Sequence, residues 1–453
     1  MNNWKTGKLS TLCSRIGDGL HGTPNYDEDG DVFFINGNNL KDGKIEIFPD
    51  TKKVSESELK KNHIPLNSNS LLIGINGTLG NMAFYNGEKL MLGKSSAYLN
   101  FKSNINKFYY YYFQLPGVQK FFYDVATGST IKNLSLGSLN NFVVPIPDGK
   151  EAHKIAAVLS ALDDKIELNN KINIELEKMA KTLYDYWFVQ FDFPFDFAQG
   201  KPNEEGKPNE NGTEAERSRG YKSSGGEMVY DAALKREIPK GWEVKKLSEI
   251  AQTGSGGTPK STTKEYYENG NIPWINSGEL NSPFIISTKN FITEVALKNS
   301  SAKYFPANTI LMAMYGATAG KTSIISFEAT TNQAICAVMP KEKEFFHYTK
   351  FVLDDMYQYL INLSTGSARD NLSQDKIKNL DVIIPDSETL KKYSKQVATS
   401  FEKIKNNLQQ NQELASLRDW LLPMLMNGQV RVGECDDEVL GLVAEEKSNY
   451  QKN

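Results

Sequence analysis

The stretch 127-TGSTIKNLSLGSLNNFVVPIPD-148 returns at the same length as 365-TGSARDNLSQDKIKNLDVIIPD-386. The same displacement joins Trp4 of 4-WKTGKLSTLCSRIGDGLHGTP-24 to Trp242 of 242-WEVKKLSEIAQTGSGGTP-259, and 35-INGNNL-40 is answered by 275-INSGEL-280. Repeats that hold register from start to end of a unit mark a duplication, and two copies are too few for a solenoid. The chain is therefore expected to contain one two-part unit written twice, with internal pseudo-two-fold symmetry.

Each copy runs in one order. After the Gly/Thr-rich turn come short apolar runs bounded by Asn, Gly and Pro: 32-VFFI-35, 71-LLIGI-75 and 97-AYLNF-101 in the first, 310-ILMAM-314, 322-TSIISF-327 and 334-AICAV-338 in the second. Runs of that length between turn residues predict strands. The aromatic segments 108-FYYYYFQL-115 and 345-FFHYTKFVLDDMYQYL-360 predict helices. A Pro-Asp then leads into one long helix. The fold class is α+β: two mixed α/β domains, 1–150 and 238–387, and two long helices, 151–190 and 388–430. A polar linker, 191–237, carries GKPNE twice, and an acidic tail fills 431–453.

The first long helix has a seam stepping by four and three through Ile155, Leu159, Leu162, Ile166, Asn169, Asn173, Leu176, Ala180, Leu183 and Trp187. The second repeats it through Tyr393, Val397, Ser400, Ile404, Asn407, Asn411, Leu414, Arg418, Leu421 and Leu425. This is coiled-coil spacing. Matching seams in one chain predict that the helices pair as an antiparallel coiled coil, the Asn layers meeting near the middle of a rod roughly 50 Å long at 1.5 Å per residue. Polar seam residues fix register at a cost in stability.

Bulk composition excludes several classes. The 453 residues are 39% hydrophobic and 24% charged, with net charge −3, so a nucleic-acid partner would have to be met by local basic patches. Cys13, Cys336 and Cys435 show no metal or disulfide spacing. No signal core and no spanning apolar run is present, which gives a cytoplasmic expectation and no membrane partner. The loop 311-LMAMYGATAGKTSII-325 invites a P-loop reading, which would make the chain a nucleotide-dependent enzyme. A P-loop needs four residues between its glycines and a helix after them. Here only three separate Gly316 from Gly320, a strand-like run follows, and the other copy, 72-LIGINGTLGNMAFY-85, has Asn81 in place of Lys321. His21, His63, His153 and His347 occupy no repeated position with a carboxylate, and no hydrolase, zincin or amino-methyltransferase signature occurs. No catalytic residue and no metal site is assigned. The shared inventory of Gly, Thr, Asn and Pro suits shape and hydrogen bonding.

The paired starts (WKTGKLSTLC at 4–13, IPKGWEVKKLSEIA at 238–251), the TGS-x4-LS segments, the Pro-Asp-helix junctions and 183-LYDYWFVQFDFPF-195 together resemble the specificity subunits of Type I restriction–modification systems, over nearly all of residues 4–432. The resemblance implies two target-recognition domains, each reading half of a split, asymmetric double-stranded DNA sequence. It implies a helical spacer that docks two modification subunits, which methylate adenine N6 from S-adenosylmethionine. It further implies restriction subunits using ATP and Mg, and no cofactor bound by this chain. A stand-alone DNA-binding or antirestriction protein of the same fold is the alternative.

Groove readout needs donors and acceptors, and phosphate contact needs cations and hydroxyls. The candidates are Thr23, Asn25, Asn38, Asn76, Thr78, Lys94, Ser129, Thr130 and Lys132 in the first copy. In the second they are Thr258, Lys260, Ser261, Ser277, Tyr315, Lys321, Gln333, Ser367 and Arg369. Asn36 and Asn276 recur in both copies, which favours a fold or phosphate role over base reading, since the copies should read different sequences.

Overall fold

The computed structural model describes residues 4–129, 131–194, 220–316, 318–364 and 372–433. The chain divides into two compact units, one of residues 1–166 with 413–453, the other of residues 167–412.

In the first unit a strand opened by the Trp4 segment, Lys5–Lys8, pairs antiparallel with Val143–Ile146, tying the start of the domain to its end. The main sheet is antiparallel, with order Cys13–Asp18, Ser96–Phe101, Ser70–Gly74, Met82–Phe84. A smaller sheet sets Val32–Ile35 between Lys53–Val54 and Leu90–Leu92, the last pairing parallel. The middle strands of the main sheet are buried on both faces, so their sequence reads as continuous apolar runs rather than as alternation. The helices Asn106–Gln114 and Pro116–Val125 supply Phe108, Tyr109, Phe113 and Phe122 to the core between the main sheet and the first long helix.

The second unit repeats this plan. Glu243–Lys246 pairs with Asp381–Ile384. The main sheet runs Ala251–Ser255, Ile335–Pro340, Ile310–Ala313, Thr322–Ile325, Phe284–Ile285, and a smaller sheet sets Ile272–Ile275 parallel to Ala329–Thr331. Even the tryptophans do the same work. Trp4 Nε1 donates to Glu151 Oε2 (2.7 Å) and Trp242 Nε1 to Asp386 Oδ2 (3.2 Å), each pinning the domain start to the head of a long helix.

The long helices are Gly149–Tyr184, continued by a π turn over Asp185–Val189, and Ser387–Asn427. Within the second unit their pairing is antiparallel. Asn169 Nδ2 donates to Asn411 Oδ1 (2.9 Å) and Gln410 Oε1 (2.8 Å), Asn407 Nδ2 to Asn173 Oδ1 (2.8 Å), and Tyr393 OH to Ala180 O (3.4 Å). Val397 and Ile404 are buried beside them, and Leu176 packs half-buried against the same core. Within the first unit Ile155 and Leu159 are buried against Leu422, Leu425 and Met426. Leu162, Ile166 and Leu414 are half-buried. In each unit the two long helices pack against each other beside one copy of an α+β domain, as the repeats predict.

The Asn layer makes a sharp prediction. Asn407→Leu leaves the buried Asn173 carbonyl without its donor, at a cost of about 1–3 kcal/mol. Asn173→Leu/Asn407→Leu together remove both polar groups and are expected to match or exceed wild-type stability. Thermal melts of the two variants check this. A single variant as stable as the double one would contradict it.

Candidate nucleic-acid interface

In the first unit five loops are drawn together by backbone hydrogen bonds: Leu20 N to Leu92 O (2.8 Å), Gly93 N to Ile35 O (2.8 Å), Ile75 N to Ser95 O (2.9 Å) and Leu134 N to Ile75 O (2.8 Å). The second unit has the same four: Gly257 N to Thr331 O (2.9 Å), Asn332 N to Ile275 O (3.0 Å), Met314 N to Ala334 O (2.7 Å) and Leu372 N to Met314 O (3.0 Å). Each unit thus carries a rim of loops whose backbone is fixed, while its outward side chains differ.

On the first rim Thr23, Asn25, Asn38, Lys94 and Ser129 are exposed. Asn76 is half-buried and bridges to Asn133, which also bridges to Thr127, so the hairpin and the TGS loop lie side by side. Lys132 stacks over the Tyr123 ring at 4.9 Å. Thr78 is different: its Oγ1 is enclosed without a partner, above Gly37 and Gly74. On the second rim Thr258 donates to Gln333 Oε1, and Tyr315 OH donates to Gln333 O (2.6 Å), so three candidates form one cluster. Burial raises the Tyr315 hydroxyl above its ordinary range, which keeps it a neutral donor. Lys260, Ser261 and Lys321 are exposed, and Ser277 is half-buried in a short 3-10 turn. Thr130, Ser367 and Arg369 lie outside the described residues.

Asn36 and Asn276 serve the fold. Each heads a 3-10 turn, its N–H donating to Asn39 Oδ1 (3.0 Å) or Glu279 Oε1 (2.9 Å). Two residues escaped the sequence reading. Ser95 Oγ accepts from Gly37 N (2.9 Å) and donates to Asn36 Oδ1 (2.9 Å). Asn332 Nδ2 donates to Asn276 Oδ1 (3.3 Å). They clamp the same pair of loops in the two rims with unlike side chains. Their only signal was adjacency to Lys94 and Gln333.

The glycine loop is a hairpin. Ile310–Ala313 pairs antiparallel with Thr322–Ile325, and Gly320 N donates back to Ala313 O (2.7 Å). Gly316 and Gly320 hold left-handed φ of 84° and 81°, as Gly77 and Gly80 do in the other copy (78° and 80°). A strand, not a helix, follows Lys321, so the loop does not lead into a helix N-terminus as a phosphate-cradling loop does. Burial pushes the Cys13 and Cys336 thiols up to about 12, so neither is a nucleophile near neutral pH. No helix among the described residues is long and apolar enough to cross a membrane.

Comparison with known proteins agrees with this architecture. The family described as the Type I restriction modification DNA specificity domain matches twice, at residues 1–178 and 239–417. The chain is 32% identical to the specificity subunit of the Type I restriction enzyme MjaIX of Methanocaldococcus jannaschii, over 73% of this chain and 70% of that one. It is 31% identical to the HindI specificity subunit of Haemophilus influenzae, over 66% and 72%. The S subunit of a Type-I restriction–modification system from M. genitalium, a crystal structure, shares the fold with TM-score 0.56 at 17% identity, covering 96% of this chain and 98% of that one. The chain belongs to the Type I restriction–modification specificity subunit family. It is the DNA-recognition subunit, a non-catalytic chain that assembles with other subunits.

Proposed function

We propose that residues 1–150 and 238–387 are two target-recognition domains, each reading one half of a bipartite, asymmetric double-stranded DNA target. The observation that carries this reading is the pair of rims with identical backbone bonding and different outward side chains. A shared scaffold with divergent tips suits one task performed on two sequences. On the first rim Thr23, Asn25, Asn38, Asn76, Lys94, Ser129 and Lys132 would meet DNA. On the second Thr258, Lys260, Ser261, Ser277, Tyr315, Lys321 and Gln333 would do so. The helices 151–190 and 388–430 would dock two modification subunits, which take S-adenosylmethionine to methylate adenine N6. Restriction subunits consuming ATP with Mg would join the same complex. Methylation requires the adenine to leave the stack, so the reading subunit must hold the duplex while a partner acts on the base.

Genome-wide mapping of N6-methyladenine in a host lacking its own copy tests this. Complemented with the chain and its modification subunit, the host is expected to show one bipartite motif. Gln333→Ala is expected to relax one half of that motif by about 1–3 kcal/mol of discrimination and to leave the other unchanged. Relaxation of both halves, or of neither, would count against one half-site per domain.

A further inference from the structure

Below each rim the edge strand of the main sheet carries a glycine that opens a notch. In the first unit Gly17 pairs with Tyr98, whose ring lies where a Gly17 β-carbon would be, 2.5 Å from Oη. In the second unit the equivalent Gly254 pairs with Ala337, which leaves the notch open. Phe305, from a different strand, fills it, with Cε1 2.8 Å from a Gly254 β-carbon. The aromatic roof is thus supplied twice by different routes. Over each roof lies one exposed cation. Arg15 Cζ is 5.9 Å from the Tyr98 centroid, and Lys303 Nζ is 5.7 Å from that of Phe305. Neither cation makes an ion pair among the described residues. Asp18, the carboxylate on the Arg15 strand, is engaged by His21 at 2.6 Å.

The two cations are not copies of each other. The position matching Arg15 in the second unit faces Met339 as Arg15 faces Asn100, and holds Gln252. Counting back from the equivalent hairpin bonds of Gly74 and Ala313, the position matching Lys303 in the first unit holds Ile64. A positive charge at one place in both units, brought there from unrelated positions, is what a shared electrostatic requirement leaves behind. The place is close to the rim. Gly254 and the rim residue Gly257 are three residues apart, about 10 Å at 3.3 Å per residue, and Gly17 and Leu20 are separated likewise.

We propose that Arg15 and Lys303 are backbone-phosphate anchors: each grips the duplex strand flanking the groove that its rim reads, with the ring beneath holding the cation in place. This rests on the DNA-recognition reading and adds to it residues that position the duplex without reading it. Both places suit the role, because a cation on or beside the edge strand reaches a phosphate next to the groove while the rim enters it.

The test uses the full chain with its modification subunits, bound to a duplex carrying the mapped target and to a scrambled duplex at stepped salt. Arg15→Gln and Lys303→Gln are each expected to lower the slope of log affinity against log salt by about 0.9 and to weaken both duplexes alike, roughly tenfold near about 0.1 M salt. Arg15→Lys and Lys303→Arg, which keep the charge, are expected to hold the wild-type slope. Gln333→Ala serves as contrast: it should change discrimination and leave the slope. An unchanged slope in the glutamine variants, with wild-type binding intact, overturns the anchors and leaves DNA recognition standing. A loss confined to the target duplex overturns them too, since it would make these residues base readers. A wild-type complex that bound neither duplex would remove both readings.

Discussion

Gly256→Ala is expected to separate the second rim from its sheet and to abolish recognition of one half-site. A β-carbon on Gly256 would stand 2.0 Å from the Thr331 carbonyl oxygen and 2.3 Å from its Oγ1. The obstruction is backbone, not the end of a mobile side chain, so the turn itself must move. The Gly257 N to Thr331 O bond goes with it, and with that the support under Thr258 and Gln333. Overpacking of this kind costs about 3 kcal/mol, which for a unit of this size lowers its melting temperature by roughly 5–10 °C. The first unit offers an independent repeat, since a β-carbon on Gly19 would meet Leu92 O at 2.2 Å. Gly278→Ala and Gly22→Ala are the controls, because nothing lies within 4 Å of either added carbon. Melting curves and methylation of the mapped target should show Gly256→Ala and Gly19→Ala depressed at least tenfold in activity and both controls silent. Activity in Gly256→Ala equal to that in Gly278→Ala would mean that this rim does not read DNA.

Those glycines were legible in the sequence because the chain states them twice. The Trp openings, the TGS segments and the Pro-Asp junctions recur at one displacement and the GTP turns near it, and both Trp openings make the same bond to the head of a long helix. The long helices were legible for a different reason: a seam of fours and threes survives substitution, since any apolar residue of the right size preserves it. What escaped reading was chemistry carried by residue pairs that changed between copies. The loop clamp is Ser95 with Asn36 in one unit and Asn332 with Asn276 in the other, so matching letters finds only half of each. The aromatic roof swaps Tyr98 for Phe305 across strands, which no one-to-one matching of positions reveals. The parallel pairing of Val32–Ile35 with Leu90–Leu92 joins short runs far apart in the chain, and such pairings have no local signature. Thr78 looked like a reader because a hydroxyl at a hairpin tip usually faces water. Here Gly37 of a neighbouring turn and Gly74, which ends the first strand of the same hairpin, make room for it to turn inward.

The other large effect is expected where the second helix's seam reads worst. Arg418 stands at a position where coiled-coil spacing asks for an apolar residue, and the reason is across the interface. Its Nη1 donates to Asp163 Oδ1 (2.6 Å), while Asp163 Oδ2 accepts from Tyr111 OH (2.7 Å). One carboxylate thus joins both long helices to the aromatic helix Asn106–Gln114 of the first α+β domain. Burial, with the Asp163 hydrogen bond second, holds the Tyr111 hydroxyl far above its ordinary range, so it remains a donor at any working pH. Asp163→Leu leaves that hydroxyl without its acceptor and Arg418 with Asp419, at 2.8 Å, as its remaining ion-pair partner among the described residues. Complete loss of one partner from a buried pair costs about 3–5 kcal/mol, and the quarter-exposed side chains here reduce that to about 2–3. Asp163→Asn keeps an acceptor for the tyrosine and gives up the charge, for about 1 kcal/mol. Asp163→Leu/Arg418→Met replaces the ion pair by apolar contact and is expected to recover most of the loss. A double-mutant cycle by denaturant unfolding measures the coupling. If the two single changes simply add, the pair is a surface decoration, and the first α+β domain is held to its helices by the Trp4–Glu151 bond and by apolar packing around Leu159 and Leu422.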